Sequence, residues 1–124
     1  MCNLPLALIV EDDEDLSFIF AEALRAANFE AEIIRDGRQA VERLVSVTPR
    51  VIVLDLHLPG VIGTEILKQI RSLEHLRAAR VVVTTADARL AEQVEGKADI
   101  VLIKPISFSL LRDLAARLAK QSID

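Results

Sequence analysis

The feature that most constrains the fold is an alternation of short apolar runs with stretches of helical periodicity. Five runs rich in Val, Ile and Leu have the length and composition of buried strands: residues 5–10, 30–34, 50–55, 79–84 and 99–103. Each is followed by a stretch with the apolar spacing of an amphipathic helix: residues 14–27, 38–46, 64–73, 87–96 and 107–121. Near-continuous apolar strands between helices predict a five-stranded parallel sheet covered on both faces. With right-handed crossovers, this is a doubly wound α/β sandwich of three layers.

Turn signals and chain length agree with this architecture. Asp36-Gly37 precedes the second predicted helix, Pro49 precedes the third strand, and Gly96 is expected to end the fourth helix. The chain has 124 residues, of which 52% are hydrophobic, so one domain can bury a full core. We therefore predict a single domain over residues 1–124.

Charge and cysteine content narrow the classes of function. The formal net charge of -4 argues against nonspecific DNA binding, which depends on Lys and Arg. The apolar run 4–10 is too short for a membrane span, and it has acids after it and no basic residue before it, unlike a signal peptide. Cys2 is the single cysteine, which favours a reducing compartment. We expect a soluble, cytoplasmic protein that contacts neither nucleic acid nor membrane.

Reactive polar groups stand at the ends of four predicted strands: Glu11 and Asp12 after the first, Asp55 at the third, Thr85 after the fourth and Lys104 after the fifth. The carboxyl ends of parallel strands meet at one edge of a sheet, where open α/β proteins carry their binding sites. Two carboxylates about 4 Å apart repel by roughly 4 kcal/mol at an effective dielectric near 20, so three acids together need a cation. Mg²⁺ suits such oxygen ligands and keeps room for phosphate. With Lys104 and Thr85 nearby, Asp55 would suit the role of a nucleophile that forms an aspartyl phosphate.

Each of these residues also has a purely structural interpretation. An Asp that closes a strand is often a turn residue or a helix cap. Asp13, Glu14 and Asp15 are expected to stabilise the first turn of the first helix, and Thr84-Thr85 could be plain strand formers. Lys104 could be a solvated strand end. Four independent strands that end in suitable groups in a suitable order favour the functional interpretation.

The motifs as a set resemble the receiver domain of bacterial two-component response regulators, over essentially the whole chain. The segments that carry the resemblance are Leu8-Ile9-Val10-Glu11-Asp12-Asp13, the run from Val53 to Gly60 with Gly63, Thr85-Ala86, and Lys104-Pro105. The resemblance implies a flavodoxin-like (βα)5 fold. It also implies that Asp55 accepts a phosphoryl group from a histidine kinase or a histidine phosphotransfer protein and then alters the binding of a downstream effector. Such a domain is a phosphoacceptor and not an enzyme in the ordinary sense.

The resemblance also assigns a role to each site residue. Thr85 would move to the phosphoryl group, and Lys104 would pair with one of its oxygens. The implied Mg²⁺ ligands are Glu11, Asp12, Asp55 and the backbone carbonyl of His57. The sequence departs from the family where a Tyr or Phe usually precedes the lysine by three residues, because Val101 stands there and the chain has neither Tyr nor Trp. Ile106 likewise replaces the usual Phe after Lys-Pro.

Two other classes of function stay open at this point. The missing aromatic residue is compatible with a docking module of the same fold that works without phosphorylation. An enzyme on a similar sheet, such as a flavodoxin or a phosphatase, is disfavoured by the acids at the first strand and by an aromatic content of 3%. The sequence also leaves open whether a homodimer forms through the fourth helix, fifth strand and fifth helix, and whether the chain is part of a longer protein.

Overall fold

The computed structural model describes residues 4–121, in which strands and helices alternate as predicted. The strands are β1 (Leu6–Val10), β2 (Glu30–Ile34), β3 (Val51–Asp55), β4 (Arg80–Thr85) and β5 (Ile100–Ile103). The helices are α1 (Glu14–Ala26), α2 (Gly37–Ser46), α3 (Gly63–Ser72), α4 (Ala88–Val94) and α5 (Phe108–Gln121). A short 3₁₀ helix at Glu74–Leu76, which the sequence pattern did not predict, follows α3. Cys2, on which the expectation of a reducing compartment depends, lies outside the described residues.

The five strands form one parallel sheet in the order β2-β1-β3-β4-β5. This confirms the predicted doubly wound, flavodoxin-like α/β sandwich. The chain moves outward in one direction from β1 to β2 and in the other direction from β3 to β5. The reversal falls between β1 and β3, where a crevice opens at the carboxyl ends of the strands. The fold therefore places its natural binding position next to the residues that follow β1 and close β3.

Two hydrophobic cores hold the helices against the sheet. One core joins the sheet to α1 and α5, through side chains that include Phe20, Leu24 and Leu111. The other joins it to α2, α3 and α4, through side chains that include Leu44 and Ile66. Both faces of the central strands are therefore covered, as the near-continuous apolar runs require. None of the helices within residues 4–121 is long and apolar enough to cross a membrane.

Aspartate caps start three of the helices. The side chain of Asp13 accepts a hydrogen bond from the Leu16 N–H at 2.8 Å, and Asp36 and Asp87 cap α2 and α4 in the same way. The predicted first-turn role of Asp13 and its acidic neighbours in α1 is therefore confirmed. The predicted break at Gly96 is confirmed, because Gly96 follows the cap residue Glu95 with a φ of +87°, the left-handed conformation in which glycine ends a helix. The last helical residue is Val94, so α4 is shorter than the predicted stretch 87–96.

The loop after β3 depends on a close backbone approach at Gly63. A Cβ atom at this position would collide with the backbone of Leu56, so only glycine fits there. The approach brings the start of α3 against the end of β3, and the Gly63 N–H donates to the Leu56 carbonyl at 3.3 Å. This packing fixes the backbone immediately after Asp55.

Candidate functional site

Three carboxylates converge at the carboxyl ends of β1 and β3, as predicted. We call Glu11, Asp12 and Asp55 the acid cluster, because one carboxylate oxygen from each lies within 4.8 Å of the others. β1 and β3 are neighbours, and Val10 lies opposite Leu54. The next residues, Glu11 and Asp55, therefore lie side by side at the crevice. Glu11 and Asp55 are buried, whereas Asp12 is exposed. The cluster therefore has two fixed, buried carboxylates and one that faces solvent.

Lys104 supplies the cation that the sequence predicted. Its Nζ lies 3.0 Å from Glu11 Oε1 and 3.4 Å from Asp55 Oδ2. The backbone of Lys104 is anchored beside β4, because its N–H donates to the Thr85 carbonyl at 2.8 Å. Burial alone would lower the pKa of Lys104, but the hydrogen bond to Glu11 and the charge of Asp55 outweigh burial and raise it above its ordinary value. Lys104 therefore stays charged at neutral pH.

The charges of the site do not balance. One ammonium faces three carboxylates, which leaves a formal charge of two negative units when all are ionised. Burial raises the pKa of Glu11 to about 7, and the negative charge of Asp55 adds to this effect against the hydrogen bonds from Lys104 and the Asp13 N–H. The site consequently has too few positive charges of its own. A divalent cation would supply the missing charge, and carboxylate oxygens are ligands that Mg²⁺ accepts.

The backbone just after Asp55 fixes the Asp55 carboxylate. Its Oδ1 accepts a hydrogen bond from the His57 N–H at 3.1 Å, which leaves Oδ2 toward Lys104. The His57 side chain is exposed. The predicted role of the His57 backbone carbonyl as a metal ligand stays a prediction.

Thr85 lies at the end of β4, but the structure does not turn its side chain toward the acid cluster. Because Asp55 pairs with Thr84 in the register of β3 and β4, and successive strand residues face opposite ways, Thr85 points to the other side of the sheet from Asp55. Its hydroxyl accepts a hydrogen bond from the Asp87 N–H at 3.0 Å. Thr85 is therefore engaged with the turn that precedes α4, and its role in the site stays a prediction.

Thr84, which by sequence could be a plain strand former, has a position that the sequence pattern did not predict. Thr84 is fully buried and shares the sheet face of Asp55. A hydroxyl within the otherwise apolar run of β4 was the one signal that could have drawn attention to it. Val101, at the position that usually carries an aromatic ring, is half-buried and packs against the core of α2, α3 and α4.

Comparisons with known proteins agree with this geometry. The family model described as the response regulator receiver domain matches residues 7–116. The sensory transduction protein RegX3 of Mycobacterium bovis is 36% identical over 113 residues, which cover 90% of this chain and 48% of RegX3. The chain therefore spans about half the length of that relative.

Solved structures show the same fold. The receiver domain from Methylobacillus flagellatus, described as CheY-like, aligns with a TM-score of 0.82 at 26% identity and covers 94% of this chain and 99% of that one. The receiver domain of the sensor histidine kinase PA1611 from Pseudomonas aeruginosa aligns with a TM-score of 0.84 at 23% identity, over 95% of this chain and 99% of that one. That structure has a magnesium ion coordinated in its active site cleft. By sequence and by fold, the chain belongs to the response regulator receiver domain family.

Proposed function

We propose that Asp55 is the phosphoacceptor of this receiver domain and takes a phosphoryl group from a phosphohistidine on a histidine kinase or a histidine phosphotransfer protein. The observation that carries the proposal is the convergence of Asp55 with two further acids and with Lys104 in one crevice. An oxygen of Asp55 would attack phosphorus and form the new O–P bond. The P–N bond of the donor breaks, and its electron pair stays on the imidazole nitrogen. Asp55 is held for this by the His57 N–H on its other oxygen.

The acid cluster fits Mg²⁺ by its donor set and by its charge. Glu11, Asp12, Asp55 and the His57 backbone carbonyl would hold the ion, with Asp12 as the main carboxylate. When bound, the ion would neutralise charge that develops on the transferring phosphoryl oxygens. Lys104 already lies beside Asp55 and would pair with one of these oxygens. Thr85 would turn to donate its hydroxyl to another.

The consequence of phosphorylation would be a change in the binding of a downstream effector. The elements next to Thr85 and Lys104 are α4, β5 and the start of α5. We propose that these elements form the surface that binds the effector, and that a homodimer would use the same surface. The domain would act as a signalling phosphoacceptor, and an enzyme only toward its own Asp55. We further propose a cytoplasmic location, since a lone cysteine suits a reducing compartment.

A second candidate function is a docking module that works without phosphorylation. Val101 favours it, because a half-buried valine lacks the ring that usually reports phosphorylation in this family. The two candidates differ in whether a partner distinguishes the phosphorylated from the unphosphorylated chain. Equal affinity of a partner for wild type and for Asp55→Asn, with Mg²⁺ and acetyl phosphate present, would support the docking module.

The direct test is incubation of the purified chain with acetyl phosphate and Mg²⁺, followed by intact mass measurement. We expect wild type to gain the mass of one phosphoryl group and Asp55→Asn to gain none, because the amide is not a nucleophile for this reaction. Asp113→Asn, an exposed substitution on α5, is the matched control and should be modified like wild type. No mass gain in wild type, or equal gain in Asp55→Asn, would refute the proposal.

A further inference from the structure

One buried hydroxyl beside the acid cluster has no hydrogen-bond partner among residues 4–121. Thr84 has no solvent exposure, and its Oγ1 is the single buried side-chain polar atom without a partner among the described side chains. An unpaired buried hydroxyl costs free energy, and such exceptions in a folded protein call for an explanation. Valine would occupy nearly the same volume without that cost, and β4 otherwise uses valine at Val81, Val82 and Val83.

The strand register places Thr84 beside Asp55. Thr84 pairs with Asp55 on one side and with Leu102 on the other. Lys104 comes two residues after Leu102 and therefore continues along the same face of the sheet. The residue two before Thr84, Val82, belongs to the core of α1 and α5, as does Leu102. Thr84 consequently lies on the face of the sheet that carries Asp55 and Lys104, level with Asp55 and one side-chain layer before Lys104.

The Lys104 ammonium has three N–H donors, one more than the two carboxylate oxygens near it. These two oxygens are Glu11 Oε1 and Asp55 Oδ2. Both carboxylates belong to the proposed Mg²⁺ ligands, so this step rests on the proposed function. The other oxygen of Glu11 already accepts the Asp13 N–H at 3.2 Å. An oxygen committed to a metal ion is a weaker partner for an ammonium, so Lys104 then needs another acceptor within reach.

We propose that Thr84 is a positioning residue that acts through Lys104. When Glu11 and Asp55 serve a metal ion, the Thr84 hydroxyl accepts a hydrogen bond from Lys104 Nζ and keeps the ammonium beside Asp55. Thr84 itself contacts neither the metal ion nor the phosphoryl group. In the structure, the Lys104 ammonium lies against the two carboxylates, and the Thr84 hydroxyl has no partner among the described residues.

The kinetic test compares Thr84→Val and Thr84→Ser with wild type in the rate of phosphorylation by acetyl phosphate and Mg²⁺. We expect Thr84→Val to be about tenfold slower at saturating acetyl phosphate, as for the loss of one hydrogen bond to a charged group, with Mg²⁺ affinity unchanged. Thr84→Ser retains the hydroxyl and should stay within about twofold of wild type. Equal rates for Thr84→Val and wild type, or equally slow valine and serine variants, would overturn the inference. If Thr84→Val does not fold, Thr84→Ala takes its place under the same criterion.

A double-mutant cycle separates positioning from a general structural effect. If Thr84 acts through Lys104, Thr84→Val should change nothing further in a Lys104→Met background, whereas independent effects would add. A crystal structure of wild type with Mg²⁺ gives a measure that does not depend on activity. We expect Thr84 Oγ1 within hydrogen-bond distance of Lys104 Nζ, and a hydroxyl that makes no hydrogen bond to Lys104 would refute the inference. A wild type that accepts no phosphoryl group would refute the proposed function, and the crystal contact would then decide the role of Thr84 alone.

Discussion

The two edges of the sheet differ in how their charged side chains are balanced. At the carboxyl edge, Lys104 is the one cation among residues 4–121 that pairs with the acid cluster of three carboxylates. At the amino edge, Asp99 is one carboxylate between two guanidinium groups, with Arg71 at 2.9 Å and Arg80 at 3.4 Å. The first arrangement is short of positive charge, and the second has more than it needs.

The pKa values follow this difference. At the carboxyl edge, the pKa of Glu11 is raised to about 7. At the amino edge, burial raises the pKa of Asp99, but the Val81 N–H and the Arg71 guanidinium outweigh burial and hold the pKa below its ordinary value. Arg71 also donates to the backbone carbonyls of Lys97 and Ala79, so it ties the end of α3 to the starts of β4 and β5. Charged groups at the amino edge are therefore paired within the fold, whereas those at the carboxyl edge keep an excess of negative charge.

The largest expected effect comes from removal of the cation at the carboxyl edge. Lys104→Met should slow phosphorylation by acetyl phosphate by about 10²-fold or more, since a fixed positive charge no longer faces the transferring oxygens. Lys120→Met, which removes an exposed lysine of α5, is the control and should react like wild type. The rate is measured by intact mass against time. A Lys104→Met variant as fast as wild type would contradict the assigned role.

The next effect concerns the amino edge and stability. Asp99→Asn should lower the free energy of unfolding at neutral pH by about 1 kcal/mol, because charge-assisted hydrogen bonds that solvent partly screens are weakened. We expect no effect on phosphorylation. Since the pKa of Asp99 is lowered in the folded protein, its contribution is complete above the ordinary value of 3.8 and is lost as the pH falls through the folded value. Urea denaturation curves of wild type and variant should therefore converge in strong acid. A constant difference at every pH would point to packing instead of charge.

The smallest expected effect on stability comes from Glu11→Gln, which also gives the sharpest contrast between the two edges. Above the pKa of about 7, an ionised Glu11 is unfavourable in the folded protein, so its neutral analogue should leave the free energy of unfolding unchanged or raise it. The same substitution removes a charged metal ligand and should weaken Mg²⁺ binding by about tenfold. Urea denaturation at pH 8 and calorimetric titration with Mg²⁺ give the two values. If Glu11→Gln lowered the free energy of unfolding as much as Asp99→Asn, the proposed difference in charge balance between the two edges would be refuted.

The sequence was sufficient to predict the sheet and the convergence at its carboxyl edge. The strand boundaries follow directly from apolar runs that a parallel sheet buries on both faces, and all five agree with the structure within one residue at each end. Glu11, Asp55 and Lys104 could be placed together because parallel strands end at the same edge. This part of the prediction needed chain direction and periodicity alone.

Side-chain direction and charge balance could not be predicted in the same way. The orientation of Thr85 depends on the register between β3 and β4, which the sequence does not give, so Thr84 was overlooked on the face of Asp55. The pairing of Asp99 with Arg71 joins residues 28 positions apart, and it depends on where α3 ends relative to β5. The early end of α4 and the 3₁₀ helix after α3 arise from local backbone hydrogen bonds that leave little trace in composition.

The hydrogen bond between the Thr85 hydroxyl and the Asp87 N–H has a consequence for α4. Asp87 caps this helix through the Arg89 and Leu90 N–H groups, and α4 has seven residues and so few internal hydrogen bonds of its own. If the Thr85 hydroxyl leaves Asp87 for a phosphoryl oxygen, the peptide that carries the cap loses its anchor. Phosphorylation of Asp55 on β3 would thereby allow α4 to shift. The side chains of Thr85 and Asp87 would transmit the change, and no aromatic residue would be needed.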